Sequence, residues 1–428
     1  MAVIVIVGGQ WGDEGKGRII DLLAEKAKIV VRFSGGDNAG HTVVNPHGEF
    51  RLHLVPSGIF YPQVACIIGN NVAINPAVLL EEMDDLHNHG VDTSRLVISD
   101  RAHLIMPYHV LLDELEEKRR GKGAIGTTLR GIGPVFSDKV ARLGIRAGDL
   151  LDKGVLLDRL KSVLELKNTI LTKVYQVPPL SLEDIYQQYC RYGVQLTPLI
   201  QETDPIICEA AIKGEPVLLE GAQGALLDPD FGTYPYVTSS SPLAAAGCTG
   251  AGLGPRRIDR VLGIFKAYNT RVGAGPMPTE LENEIGDLIR KKAHEYGART
   301  GRPRRCGWFD AIAGRFSAQI NGLSDIALTH LDIYDGFPSI KICTAYKYEG
   351  KVLTSFPSDV TVLEKCQPVY EEMDGWQEPI SGVRNFEKLP MAARKYISRL
   401  EELLSCPISL VSIGPDRNQI ILIADLFS

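Results

Sequence analysis

Ten residues near the start, Gly8-Gly9-Gln10-Trp11-Gly12-Asp13-Glu14-Gly15-Lys16-Gly17, combine glycines, one lysine and two acids. A glycine-rich turn leading into a helix is an anion cradle: backbone N–H groups and the helix N-terminus face a phosphate, and lysine adds charge. The pattern is that of a Walker A loop with its spacing broken. Gln10 stands where the first glycine belongs, and Gly17 replaces the Ser/Thr that would hold Mg²⁺. An acid inside such a loop repels phosphate unless a metal or a proton transfer compensates, which singles out Asp13 and Glu14. A second glycine loop, Ser34-Gly35-Gly36-Asp37-Asn38-Ala39-Gly40-His41-Thr42, carries a histidine able to donate a proton or to bond phosphate oxygens. A third stretch, Arg299-Thr300-Gly301-Arg302-Pro303-Arg304-Arg305, offers guanidinium forks that suit a substrate with two carboxylates. Each has a plainer reading: a tight turn, a loop-stabilising histidine, a solvated basic loop. Two glycine loops directly after neighbouring strands weigh against it, because ligands sit beyond the carboxyl ends of parallel strands.

The elements that must hold these loops follow from apolar patterning. Residues 2–7 are a continuous apolar run, β-branched from Val3 on, as in a strand covered on both faces, and Ile19, Ile20, Leu22, Leu23 and Ala27 mark an amphipathic helix. Further strands are expected at 29–33, 64–69, 95–99, 216–219, 261–267, 325–329 and 408–412. Helices are expected at 156–175, 182–192, 284–296 and 390–404, the last with proline in its first turn. Such alternation means an α/β fold: a large central, mostly parallel sheet with flanking helices and a P-loop-like nucleotide site. Two parts depart from it, a peripheral helical lobe at about 150–215 and an antiparallel hairpin at 340–356 turning at Glu349-Gly350. No linker interrupts the chain, so residues 1–428 are expected to form a single large domain. Seven windows (8–17, 35–40, 121–133, 221–232, 247–254, 273–275 and 297–307) hold 25 of the 43 glycines, and are expected mostly to wall one site.

The bulk properties exclude more than they assign. A net charge of −6 and a pI near 5.9 provide no global field for nucleic acid or an anionic membrane. Apolar runs fall short of the roughly 20 residues a membrane helix needs. Residues 1–7 lack a basic n-region, and the eight scattered cysteines contain no C-x-x-C pair. A cytoplasmic protein with reduced thiols is the expectation.

Taken together, the motifs have a precedent. Gln10-Trp11-Gly12-Asp13-Glu14-Gly15-Lys16-Gly17 with Asn38-Ala39-Gly40-His41-Thr42 closely resembles the adenylosuccinate synthetase family. The likeness continues through Gly126-Thr127-Thr128, Gly131-Ile132-Gly133-Pro134, Glu220-Gly221-Ala222-Gln223-Gly224, the run from Gly232 to Ser240, and Thr270-Arg271-Val272-Gly273. Thr300-Gly301-Arg302, Leu331-Asp332 and Gly414-Pro415-Asp416-Arg417 complete it in consistent order.

The resemblance implies a ligase that joins IMP and L-aspartate, driven by GTP, with one Mg²⁺ per subunit, through a 6-phosphoryl-IMP intermediate. It makes Asp13, His41, Lys16 and Gln223 catalytic, and Asp13 with the Gly40 carbonyl the metal ligands. IMP contacts carry over to Asp13, Glu14, Lys16, Asn38, Ala39, Gly40, His41, Thr128, Gln223, Thr238, Val272 and Arg302, and to Arg142 reaching across a homodimer. GTP contacts carry over to Gly12, Asp13, Glu14, Gly15, Lys16, Gly17, Gly40, His41, Thr42, Arg304, His330, Leu331, Asp332, Ser412, Ile413 and Gly414. Aspartate falls to Arg299, Thr300, Gly301, Arg302 and Arg304. A carboxylate such as Asp332 accepts from guanine N1–H and the 2-amino group together, a pattern adenine does not offer.

Three positions depart from the family pattern: His330 where lysine is usual, Leu129 where glycine is usual, and Pro303 where arginine is frequent. A GTP-regulated switch would need a Walker Ser/Thr and a guanine-lysine motif, which this chain lacks. Related phage enzymes that take a guanine deoxynucleotide tend to lack the loop aspartate, so Asp13 favours IMP. A nucleic-acid binder using the arginine loop would show steeply salt-dependent binding.

Overall fold

The structure is a computed structural model that describes every residue except 1–2, 46–47, 297–300, 302 and 428. The first strand, Val3–Gly8, is buried throughout. Its side chains alternate between faces. Ile4 and Ile6 join one core with Ile19, Ile20 and Leu23 of the helix Lys16–Ala24. Val3, Val5 and Val7 join another with Ala246 and Ala251 of the helix Ala244–Ala251. Both faces are covered, which is why no polar residue interrupts the run.

Among the described residues the central sheet has eleven strands. From one edge the order is Ile420–Leu422, Ile408–Ser412, Asp325–Thr329, Arg260–Lys266, Val3–Gly8, Val217–Glu220, Ile29–Gly36, Ala65–Ile74, Leu96–Ser99 and Ile200–Gln201, with His103–Leu104 also pairing Ala65–Ile74. Pairing is parallel except between Ile408–Ser412 and Ile420–Leu422. Parallel neighbours point their carboxyl ends the same way. Loops beginning at residues 9, 37, 221, 267, 330 and 413 therefore leave from one edge, although they are spread along nearly the whole chain.

Several boundaries differ from the sequence expectation for identifiable reasons. The helix expected at 284–296 is Glu284–Lys292, because His294 turns left-handed with φ 52° and swings Glu295 into the interior. Within 150–215 lie the helices Lys153–Lys173, Leu182–Leu196 and Asp204–Lys213. Ile200–Gln201, between the last two, pairs with the sheet edge, and Leu156, Leu160 and Ile185 share the core of the sheet. The hairpin is Ser339–Tyr348 with Lys351–Leu353, turning through Glu349 and Gly350 at φ 47° and 77°. It also gains a partner that the alternation did not reveal, Gln367–Asp374.

One glycine window has a packing role. A Cβ on Gly250 would lie 2.2 Å from the Phe33 carbonyl oxygen, and one on Gly69 2.3 Å from that of Gly250. Gly247 and Gly250 thus let the helix Ala244–Ala251 lie directly on the sheet, so these two glycines of the 247–254 window serve packing.

Beneath the loops, Arg32 donates to Glu220 at 2.6 Å, and Glu220 also accepts from the Ser57 N–H and hydroxyl at 3.0 Å each. Both charged side chains are buried. Removing the charge with Glu220→Gln leaves Arg32 buried without its direct ion-pair partner, and is expected to destabilise the protein by about 3–5 kcal/mol. A denaturation midpoint equal to that of the unmodified protein would contradict this.

Candidate active site

Glu14 organises the phosphate loop from within. Its carboxylate is fully buried and accepts from the N–H groups of Gln10 (3.1 Å) and Gly12 (2.8 Å) and from Lys16 Nζ (2.7 Å). Two of the N–H groups expected to face phosphate thus turn inward. The Glu14 side chain has no exposed surface left to meet a ligand. Gln10 clamps the loop to the next strand, accepting from the Lys266 N–H and donating to the Lys266 and Tyr268 carbonyls. A Cβ on Gly224 would stand 2.4 Å from the Gly12 nitrogen, so the 221–224 turn docks against this loop.

Asp13 is the opposite of its neighbour. It adopts the left-handed conformation at φ 60°, tolerable for Asp, and its side chain is 37% exposed. Arg304 Nη2 lies 3.0 Å from its Oδ2. The same guanidinium donates to Glu295 at 2.6 Å. Glu295 in turn accepts from Lys266 and from the Tyr268 hydroxyl (2.6 Å). Burial pushes the Glu295 carboxyl up, but Lys266 and Arg304 outweigh it and bring it down to about 2. A buried, ionised glutamate therefore anchors the arginine that covers Asp13.

The second glycine loop brings Asn38 beside Gln223, whose Nε2 donates to Asn38 Oδ1 at 3.3 Å. Gln223 Oε1 is buried without a hydrogen-bond partner, an acceptor facing this junction. Ala39 and exposed Gly40 continue the loop, and His41 opens the strand His41–Asn45. The side chains of His41 and Thr42 lie outside the described residues. Thr238 is held near Ser240, 3.4 Å between hydroxyls, and its N–H donates to Leu227. Val272 is exposed, next to buried Arg271, whose guanidinium gathers the carbonyls of Tyr236, Ala274 and Pro276 and lies over the Trp11 ring.

At the other end of the row, Ser412, Ile413 and Gly414 are buried beside Arg18, which donates to Ser412 Oγ (3.0 Å) and the Gly414 carbonyl (2.6 Å). Leu331 is buried and Asp332 half-buried; burial raises the Asp332 carboxyl, with Arg18 pulling it down. His330 is left-handed at φ 58°, edge-on to Tyr268. Burial and Lys266 push its imidazole down to about 3, so it is neutral. Its Nε2 would lie 3.7 Å from a Cβ on Gly15, which seats the ring against the phosphate loop, with Gly17 buried just beyond in the helix.

The arginine stretch is only partly described: Arg299, Thr300 and Arg302 lie outside. Gly301 is exposed, and the stem is closed by a Tyr296–Pro303 bridge and by the Arg304 N–H donating to the Glu295 carbonyl at 2.9 Å. Pro303 thus falls in the stem. Thr128 is exposed on a separate loop, and Arg142 is exposed and left-handed after the helix Ile132–Ala141. Leu129 adopts φ 57°, which accounts for the usual glycine there; a leucine costs roughly 1–2 kcal/mol in that conformation.

Comparison with known proteins gives this constellation its context. The model of the family "Adenylosuccinate synthetase" matches residues 5–421. An adenylosuccinate synthetase of Dehalococcoides mccartyi is 60% identical over 421 residues, covering 98% of this chain and 100% of its own. The chain belongs to the adenylosuccinate synthetase family. It is a GTP-dependent ligase that joins IMP and L-aspartate to form adenylosuccinate, and the family is Mg²⁺-dependent. The fully ligated adenylosuccinate synthetase of Plasmodium falciparum superposes with a TM-score of 0.92 at 37% identity, covering 99% of this chain and 100% of that one. The cyanophage S-2L succinoaminodeoxyadenylate synthetase, bound to dGMP and dATP, aligns at 0.60 with 20% identity, covering 99% and 96%. That is a likeness of fold.

Sequence reasoning missed Arg18 and Glu295. Arg18 follows the glycine loop directly, and its place on the helix could have flagged it; nothing about Glu295 in the chain distinguishes it from a helical surface acid. Removing the Arg18 clamp with Arg18→Ala is expected to raise KM for GTP by about tenfold or more while KM for IMP changes little. Equal shifts in both would show that the clamp serves the whole site. Asp37, beside Asn38, gives a pH test. Its side chain is fully buried, Asn75 and its own backbone N–H give it only weak, poorly aligned hydrogen bonds, and Arg130 is 3.7 Å away. Burial raises its carboxyl from 3.8 to about 6, with Arg130 opposing. The native state then holds a proton that the unfolded chain has lost, so stability falls as pH rises from 3.8 to about 6. Asp37→Asn is expected to lose that slope, gaining on the unmodified protein by about 3 kcal/mol across the window. Parallel stability–pH curves would count against it.

Proposed function

We propose that the ligation proceeds through a 6-phosphoryl-IMP intermediate, with Asp13 as the base. The observation that carries this reading is the division between the two acids of the phosphate loop. Glu14 is buried and consumed by the loop's own N–H groups and Lys16, whereas Asp13 is exposed and held by a single arginine that a substrate can displace. The purine 6-oxo group leaves poorly and must be activated before an amine displaces it. Asp13 takes the N1 proton, O6 attacks the γ-phosphorus of GTP, and GDP departs. The amine of aspartate then attacks C6 and releases phosphate. Lys16 and His41 stabilise charge on the transferred group and on the departing β-phosphate, since such transfer is chiefly positioning and electrostatics.

Asn38, Gln223, Thr128, Thr238, Val272 and Arg302 hold IMP, and the unpartnered Gln223 Oε1 supports a substrate donor at that point. Asp332, His330 and residues 412–414 form the guanine pocket, and Arg299, Thr300, Gly301, Arg302 and Arg304 take aspartate. One carboxylate and one carbonyl, from Asp13 and Gly40, are the protein donors that would hold Mg²⁺; among the described residues no cluster of three His, Cys, Asp or Glu exists. An all-oxygen, sparse donor set suits Mg²⁺, which keeps waters and substrate phosphates in its shell. When bound, the ion supplies charge neutralisation at the phosphates.

The exposed Arg142 supports a homodimer in which it reaches the IMP of the partner subunit. The chain works as one large domain, 1–428, since the central sheet draws strands from residue 3 to residue 422. No helix among the described residues is long and apolar enough to cross a membrane, and a cytoplasmic setting fits the substrates.

Purified protein mixed with IMP, GTP, Mg²⁺ and L-aspartate is expected to release GDP and to shift the purine ultraviolet band, and to make no product without aspartate. Asp13→Asn is expected to lower kcat by about 10²–10⁴-fold. Near-normal turnover in that variant would overturn the assignment of the base.

A further inference from the structure

Thr128 sits in a loop whose backbone is tied to a helix behind it by two carboxylates. Glu117 and Asp113, one turn apart on the helix Pro107–Arg120, face the segment 125–131. Glu117 Oε1 accepts from the Ile125 N–H at 3.1 Å, and its Oε2 accepts from the N–H groups of Gly126 (2.8 Å) and Thr127 (3.2 Å). Asp113, itself buried, accepts from the Thr127 hydroxyl and from the Gly131 N–H, each at 2.9 Å. The Leu129 N–H donates back to the Thr127 hydroxyl oxygen at 3.4 Å.

Three consecutive N–H groups converging on one point form a nest for an anion. Here the protein's own carboxylate fills the nest. Those groups are therefore spent before any phosphate arrives, and Thr128 is exposed between the two tethers, as are Gly126, Thr127 and Leu129. The tethers have work to do. Gly126, Leu129 and Gly131 all adopt positive φ, at 82°, 57° and 76°, and Leu129 does so without the freedom of glycine. A loop with that backbone does not hold its shape unaided, and one ordered only by substrate charges the ordering entropy to substrate binding.

We propose that Glu117, seconded by Asp113, is the positioning residue of the IMP loop: it pre-forms the 125–131 backbone so that Thr128 is presented to the nucleotide before binding. This rests on the assignment of Thr128 to IMP made above. Glu117 touches no substrate and acts through the loop.

The test is a steady-state comparison of Glu117→Ala, Glu117→Gln and Thr128→Ala with the unmodified enzyme, varying IMP, GTP and aspartate separately, with thermal midpoints recorded for each. The expected result for Glu117→Ala is KM for IMP raised about tenfold or more, with KM for GTP and aspartate within about twofold and kcat little changed. Glu117→Gln, which keeps one acceptor oxygen in place, should fall between. Thr128→Ala should raise KM for IMP without lowering the thermal midpoint. An unchanged KM for IMP in Glu117→Ala while Thr128→Ala is impaired overturns the positioning role and leaves the IMP assignment standing. All three KM values rising together in both Glu117 variants also overturns it, since the residue would then support the fold at large. A silent Thr128→Ala overturns the loop's assignment to IMP and the proposal with it.

Discussion

A carboxylate taken out of water must find donors or a cation where it lies, or it costs several kcal/mol. The loops around this active site are shaped by that requirement. Glu14 draws in the phosphate loop and Lys16, Glu220 holds Arg32 and the Ser57 turn, and Glu295 holds Lys266 and Arg304. Buried Asp113, with half-buried Glu117 beside it, holds the loop of Thr128 in a similar manner. Each inward acid converts an irregular segment into a defined one by consuming the N–H groups that would otherwise need water. With these acids committed, Asp13 remains outward with a displaceable partner.

The arginine on Asp13 links two segments of the site. Arg304 bridges the acid of the glycine loop to a glutamate under the arginine stretch. In the proposed mechanism Asp13 has to be free of that guanidinium to accept a proton, and a dicarboxylate substrate would compete for the same cation. The site is thus held closed on itself by one exposed ion pair, of the kind that contributes little stability and exchanges readily. The buried half of the bridge, Arg304 to Glu295, stays fixed and keeps the arginine within reach.

The departures from the family pattern find concrete settings. His330 is neutral and packed between Tyr268 and the phosphate loop, so the position contributes an aromatic face without a charge. Leu129 occupies a left-handed position where its side chain is strained and exposed, and the tethers on either side hold it there. Pro303 lies in the stem of the arginine loop, where a fixed backbone is compatible with the Tyr296–Pro303 bridge.

The amino-acid sequence by itself determined the strands and the motif loops. A buried parallel strand must be apolar on both faces, and a phosphate turn needs glycine followed by a helix, so both leave local signatures that survive without coordinates. Strands 325–329 and 408–412 were legible to the residue, as was the order of the loops that carry the family resemblance. Which way an acid points was decided only by the tertiary structure. Asp13 and Glu14 are adjacent and chemically alike, yet one is solvent-facing and the other has no exposure, because the Gly224 turn and the strand carrying Lys266 close over one side of the loop alone. Glu295 looked like the last turn of a helix until a left-handed His294 turned it toward a lysine 29 positions away in the chain. Gly247 and Gly250 read like part of a ligand wall and prove to be helix-on-sheet packing. Local pattern records what an element needs from its own neighbours; burial of a charge depends on donors from distant segments, and only the assembled sheet edge brings those together.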